Sequence, residues 1–187
     1  SEAGTDAIRR TDIAEARRLL QSIGYDGTPV VFIAPGDNEQ LRIISTVTAE
    51  QMRAAGFVVD VQFSDFASMM ARRNRREVPS QGGWNLFPML AFAFELDSPA
   101  SNFLLGTACD CTGYAGWACD QALFDARQIW LREPDPARRQ QLVGQMQLEA
   151  ARLMPVALLG QYVRPILHRR TVRNLVQAPL TVMWNID

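Results

Sequence analysis

The sequence predicts an α/β fold, a mixed and largely parallel sheet flanked by helices, from three observations. Strand patterns at residues 29–34 and 57–63 alternate with helical patterns at 12–23, 38–55 and 65–76, the order that a covered parallel sheet requires. The stretch 82–103 then opens as a near-continuous apolar run, which suits a strand buried on both faces. Finally, 187 residues are enough for one domain with a proper core.

Residues 1–11 are small, polar and aperiodic, and read as a lead-in left by a domain cut. Asp12 with Glu15 has the form of a capping box, and Ile13, Ala16, Leu19, Leu20 and Ile23 share one helical face before Gly24. Asp26-Gly27 turns the chain into a strand from Pro29 to Ala34, which Pro35 to Asn38 breaks. From Asn38 onward Leu41, Ile44, Val47 and Met52 form a stripe, with Gly56 as the stop. Phe57, Val59, Val61 and Phe63 alternate with polar residues, as in a strand half open to solvent.

Ser64 or Asp65 caps the next helix, whose Met69 and Met70 read as core filler. Arg72, Arg73, Arg75 and Arg76 at its end complement the helix dipole. The central strand, interrupted by Asn85 and Pro88, comes next. Asp120 caps a helix carrying Leu123, Phe124 and Trp130, and Asp135-Pro136 opens another with Leu142, Met146, Ala150 and Leu153 inward. Residues 154–160 and 162–167 read as strands, the second an edge or irregular one because of Pro165. Residues 171–187 are apolar in patches without a period, a tail expected to pack on something.

Charge and cysteine content narrow the function classes. With 19 basic and 20 acidic residues the net charge is −1, which offers no field for nucleic acid or an anionic membrane. Every basic residue is Arg, a bias of coding composition that carries no functional weight. No apolar segment reaches the ~20 residues of a membrane helix, and the N-terminus has no signal-peptide pattern. Cys109, Cys111 and Cys119 lack a nearby fourth metal ligand, because the single histidine, His168, is remote in sequence. The same remoteness argues against a nucleophilic thiol. A short disulfide loop closed by Cys119 with Cys109 or Cys111 fits best, and implies an oxidising compartment.

The candidate site lies where the central strand ends. Phe92, Phe94, Glu95 and Asp97 put rings and carboxylates just past a buried strand, where open α/β sheets bind ligands. A carboxylate beside apolar rings pairs with an ammonium, and the rings add cation–π attraction. One of the two phenylalanines is expected in the core.

Four stretches together resemble the C-terminal lobe of ABC-importer extracytoplasmic solute-binding proteins, in the dipeptide/oligopeptide/nickel-binding family. The helix from Ala14 to Tyr25 and the helix-Gly-strand unit from Gln51 to Val61 are two. Phe92-Ala-Phe-Glu95-Leu-Asp-Ser-Pro99, then Asn102-Phe103, resembles the family's Trp-x-x-Asp-x-x-x-Pro segment followed by Asn-Phe. The fourth is Cys109 with Cys119-Asp120, together with the ending from Gly160 to Asn185. The resemblance implies a Cys109–Cys119 disulfide, leaving Cys111 a free thiol, and a solute-binding role without cofactor or chemistry.

It also implies Glu95 as the acid that holds a ligand ammonium, Phe92 in the place of the pocket Trp, and Phe66 facing the cleft. The loop 35–38 has no Arg where some members hold a peptide carboxylate. Residues 12–170 would form one lobe of a two-lobe periplasmic protein, partnered by an N-terminal lobe, a peptide-like ligand and ABC permease subunits. The competing reading is a small hydrolase using Cys109, Glu95 or Asp97 with His168.

Overall fold

Asp12 caps α1 (Ile13–Ser22), accepting from the Glu15 N–H at 2.9 Å. Of the face predicted to cover the core, Leu20 is buried, whereas Ile13, Leu19 and Ile23 stay exposed. The helix holds on through Leu20, which lies over Gly56, and through the Arg17 Nε bond to the Ala54 carbonyl at 2.7 Å.

Two parallel strands form the centre. β1 (Val30–Pro35) pairs with β2 (Val59–Ser64), Val30 opposite Val59 and Pro35 opposite Ser64. Parallel neighbours need a crossover, and α2 (Glu39–Ala54) supplies it. The computed structural model describes residues 3–6, 11–110, 112–176, 178–179 and 182–184. Side chains alternate along β1. Phe32 packs with Ala49, Met52 and Val59, while Val31 and Ile33 pack with Met69 and Met70 of α3 (Phe66–Arg73). Helices therefore cover both faces, as expected, and Met69 is core filler at 1% exposure.

The central strand does not form as predicted. From Trp84 onward the chain makes one parallel bridge, Leu86 opposite Phe32 on the side of β1 away from β2. The reason is chemical. Asn85 turns its side-chain Oδ1 to the Val31 N–H at 2.8 Å, Pro88 has no N–H to give, and the ladder stops. Its expected continuation is a single helical turn, α4 (Ala93–Leu96).

The loop after it is tied down twice. Cys109 and Cys119 form a disulfide, and beside it the buried Thr107 exchanges bonds with Asp120, accepting its N–H at 3.0 Å and donating its hydroxyl to its carbonyl at 3.1 Å. Cys111, expected as a free thiol, lies outside the described residues.

Asp120 then caps α5 (Gln121–Arg132) and Asp135 caps α6 (Pro136–Leu153). The two helices form a hairpin with its own core of Leu123, Trp130, Leu142 and Met146. Asp120 also pairs with Arg152 at 2.7 Å, which fixes the end of α6 to the start of α5.

The two strands expected at residues 154–167 are not present: the segment starts with a left-handed Met154 and a bend and makes no strand pairing with any described segment. Leu158, Val163 and Leu167 are 64%, 86% and 92% exposed. A strand needs a neighbour for its N–H and C=O groups, and none of the described segments lies alongside. In the tail, Val176 and Val182 make an antiparallel bridge while Met183 and Trp184 remain exposed. Leu180, and most of the lead-in before Asp12, lie outside the described residues.

Candidate functional site

The three parallel segments run the same way, so their carboxyl ends open on one edge. β1 leads into Asn38, β2 into Phe66 at the head of α3, and the bridged Leu86 into Phe87, Pro88, Met89 and Leu90. These residues, with Leu41, Met69, Met70, Arg73 and Tyr114, line a cavity of about 350 Å³. It occupies the crevice where open α/β sheets take ligands.

Each wall has a local cause. Asn38 caps α2 with its Oδ1, accepting from Leu41 N–H at 3.1 Å. Phe66 N–H donates to Asp37 Oδ1 at 2.9 Å, which draws the start of α3 against the β1 loop and leaves the ring 43% exposed over the cavity. Tyr114 is carried in by the disulfide loop; its ring lies 4.8 Å from Phe103 and 6.2 Å from Phe87 between centroids. Arg73 reaches it from α3, Nη1 donating to the Tyr114 hydroxyl at 2.7 Å, with the guanidinium over both the Phe87 and Tyr114 rings. The Tyr114 hydroxyl in turn contacts Met89 Sδ at 3.0 Å. Burial pushes the phenol above its usual pKa, although Arg73 pulls the other way.

The predicted site residues divide. Phe66 is part of the cavity wall, whereas Phe92, Phe94, Glu95 and Asp97 are not among its described lining. Those four sit together at α4, with Phe92 as its N-cap and Asp97 as its C-cap. Phe92 and Phe94 stack at 5.5 Å and 19°, and both are exposed, so neither is the core residue expected. The reason is the break in the strand: Phe92 is the extended N-cap and Phe94 lies in the first turn of α4, so the alternation that would send one ring inward is lost. Glu95 is half-buried and its Oε2 accepts the Phe92 N–H at 2.8 Å, closing the turn. Asp97 is exposed at its C-terminal end.

Sequence reasoning missed Arg73, Phe87 and Tyr114. The arginine run after α3 was read as one class, yet its members do different things. Arg72 forks onto the carbonyls of Gly82 and Gly83 at 3.0 and 2.9 Å and onto Gln62 Oε1 at 2.6 Å, locking the loop that leads to Trp84. Arg76 lies over the Trp117 ring at 4.5 Å. Arg73 alone of the run lines the cavity among aromatic walls. One signal was available: an Arg one helical turn beyond Met69 and Met70, on a helix that starts at a strand's carboxyl end.

Comparison with known proteins fits this geometry. No family model matches the chain. It is 25% identical over 179 residues to a probable peptide ABC transporter periplasmic-binding protein of Sinorhizobium fredii, covering 94% of this chain and 33% of that protein. Among solved structures, a dipeptide-binding protein from Pseudoalteromonas sp. SM9913 in complex with Met-Leu matches at a TM-score of 0.66 and 16% identity, over 91% of this chain and 34% of that one. The fold is that of a periplasmic binding protein.

A second such protein, AgaA of A. tumefaciens R10 in complex with agropinic acid, matches at a TM-score of 0.64 and 19% identity, over 77% of this chain and 29% of that one. The chain spans about a third of the length of the curated periplasmic-binding relative it matches. The expected resemblance to extracytoplasmic solute-binding proteins is thus borne out, as is the α/β class.

Proposed function

We propose that the chain is the ligand-binding lobe of a periplasmic solute-binding protein that delivers peptides or other amine-bearing small solutes to an ABC importer. The observation that carries the reading is the cavity at the carboxyl ends of the parallel segments, in a chain similar to a probable peptide transporter binding protein. Residues 12–170 form the lobe. The exposed apolar segment 154–167 and the tail 171–187 are surfaces for the N-terminal lobe, and permease subunits dock on the closed two-lobe protein. Glu95 holds the solute ammonium beside the stacked Phe92 and Phe94, with one carboxylate oxygen closing α4 and the other facing the ligand; Asp97 adds negative charge at the same rim.

The chain performs no chemistry in this reading. Cys109, the nucleophile of the hydrolase alternative, is bound to Cys119. His168 is exposed with its Nδ1 beside the Arg169 carbonyl, so His168→Ala leaves solute binding unchanged, which a binding assay checks.

Native mass spectrometry on the full-length mature protein, taken from its own periplasm without refolding, identifies any solute carried along. A co-purified peptide or amine supports the reading. For that solute, Glu95→Gln weakens binding by about 10- to 150-fold, the range of a lost charge-assisted hydrogen bond. A co-purified sugar keeps the transport role and removes Glu95 from it.

A further inference from the structure

Three of the described residues in the cavity wall are polar, Asn38, Arg73 and Tyr114, and each already has a protein partner. Asn38 Oδ1 accepts the Leu41 N–H at 3.1 Å. Arg73 Nη1 donates to the Tyr114 hydroxyl at 2.7 Å, and that hydroxyl donates to Met89 Sδ at 3.0 Å. The guanidinium carbon lies 5.7 and 5.1 Å from the Phe87 and Tyr114 ring centroids, and Nε is buried. Burial raises the phenol's pKa, so Tyr114 stays neutral at neutral pH. No carboxylate stands among the described lining residues, and Arg73 is their one charge.

The rest of the wall is apolar and adaptable. Phe66, Phe87 and Tyr114 offer ring faces and edges. Met70 and Met89 are unbranched thioethers, which adjust to what lies against them and favour aromatic neighbours. Met69, packed on Val31 and Ile33, joins the cavity to the core. At about 350 Å³ the cavity is near the lower end of the ~300–1,000 Å³ of ligand pockets, room for one large side chain and not for a run of residues.

Such a wall discriminates by charge. An apolar group gains by leaving water for it. An ammonium or guanidinium on the solute's side chain would lose its water, find no carboxylate and meet the like charge of Arg73. Arg73 itself is accommodated by Tyr114 and the faces of two rings.

We infer that this cavity is a subsite for one bulky, uncharged apolar side chain of the solute, that it excludes Lys and Arg side chains, and that Arg73 sets the exclusion. Arg73 is a positioning residue here: it holds Tyr114 and Phe87 as walls and supplies the repelling charge, with no bond to the solute. The inference rests on the solute-binding reading and narrows it to solutes that carry an apolar body beside the amine held at Glu95.

The test is calorimetric titration of the full-length mature protein with Ala-Phe, Ala-norleucine, Ala-Lys and Ala-Glu, each also in reversed order. At one of the two positions Phe and norleucine are expected to bind on the order of 10- to 100-fold more tightly than Lys, although norleucine and Lys are nearly equal in length. Arg73→Met is expected to narrow the norleucine-over-Lys ratio about 3- to 10-fold, and Arg73→Lys to keep most of it. A merely structural Arg73 would lower all affinities together and leave the ratio intact. Leu90→Glu, which puts a carboxylate on an exposed part of the wall, is expected to raise the affinity for the Lys probe above wild type.

Equal binding of Lys and norleucine at both positions overturns the inference and leaves the solute-binding reading in place, as does tighter binding of the Glu probe than of norleucine. A ratio unchanged in Arg73→Met overturns the assignment of the exclusion to Arg73. Should Arg73→Met not fold, Leu90→Glu decides in its stead: no gain for Lys counts against exclusion by charge. If a further screen finds that sugars alone bind, the transport role stands and the subsite falls; if nothing binds, both readings fall.

Discussion

Asn85 meets Val31 through both its backbone N–H and its side-chain Oδ1, at 2.9 and 2.8 Å, so one residue serves both the carbonyl and the N–H of Val31 on the open side of β1. Val31 is buried at 8% exposure. Asn85→Ala therefore strands a buried N–H and is expected to cost about 1–3 kcal/mol, read from the midpoint shift in a urea titration. The disulfide acts on the same scale. Cys119→Ser opens the Cys109–Cys119 loop and is expected to lower stability by about 2–3 kcal/mol; equal denaturation curves with and without reductant would contradict this. That variant also frees the loop that carries Tyr114 into the cavity wall. Gly83 shows a tighter limit, since a Cβ there would collide with the Glu77 carbonyl, and Gly83→Ala displaces the entry to Trp84.

At the level of elements, α3 depends on a charged cap. Asp65 accepts the Ser68 N–H at 2.9 Å, and the Ser68 side chain and then this backbone bond hold its carboxyl below the ordinary value of 3.8. A depressed carboxylate contributes stability that is present above the unfolded pKa and lost as the pH falls through the folded one. The loss falls below about pH 4. Asp65→Ala is expected to flatten that acid limb and lower the melting temperature, checked by thermal melts between pH 2.5 and 7. The hairpin of α5 and α6 depends on packing instead. Leu123 is fully buried at 0% exposure between the two helices, so Leu123→Ala is expected to cost about 2–5 kcal/mol by denaturant titration.

For the whole molecule, the cavity lies at one edge of the parallel segments; in the proposed reading it is one lobe's share of a cleft, and two-lobe binding proteins close by a hinge around the ligand. On that proposal the 187-residue chain by itself offers only part of the contacts, and is expected to bind a dipeptide with at best about millimolar affinity by calorimetry. Submillimolar binding would mean that this lobe suffices. The helices were legible because their caps and stripes are local: Asp12, Asn38, Asp65, Asp120 and Asp135 all accept bonds from N–H groups within three residues. β1 and β2 were legible for the same reason, through short apolar patterns bounded by turns.

Residues 84–91 and 154–167 were misjudged because apolar content alone does not make a strand; a neighbour must supply its hydrogen bonds. The candidate site followed the same division. The sequence showed the carboxylates and rings of 92–97 as one group, and the family resemblance singled out Phe66. That Arg73, Phe87 and Tyr114 share one cavity was decided only in three dimensions, because they come from a helix, a loop and a disulfide-bound turn that no sequence spacing relates.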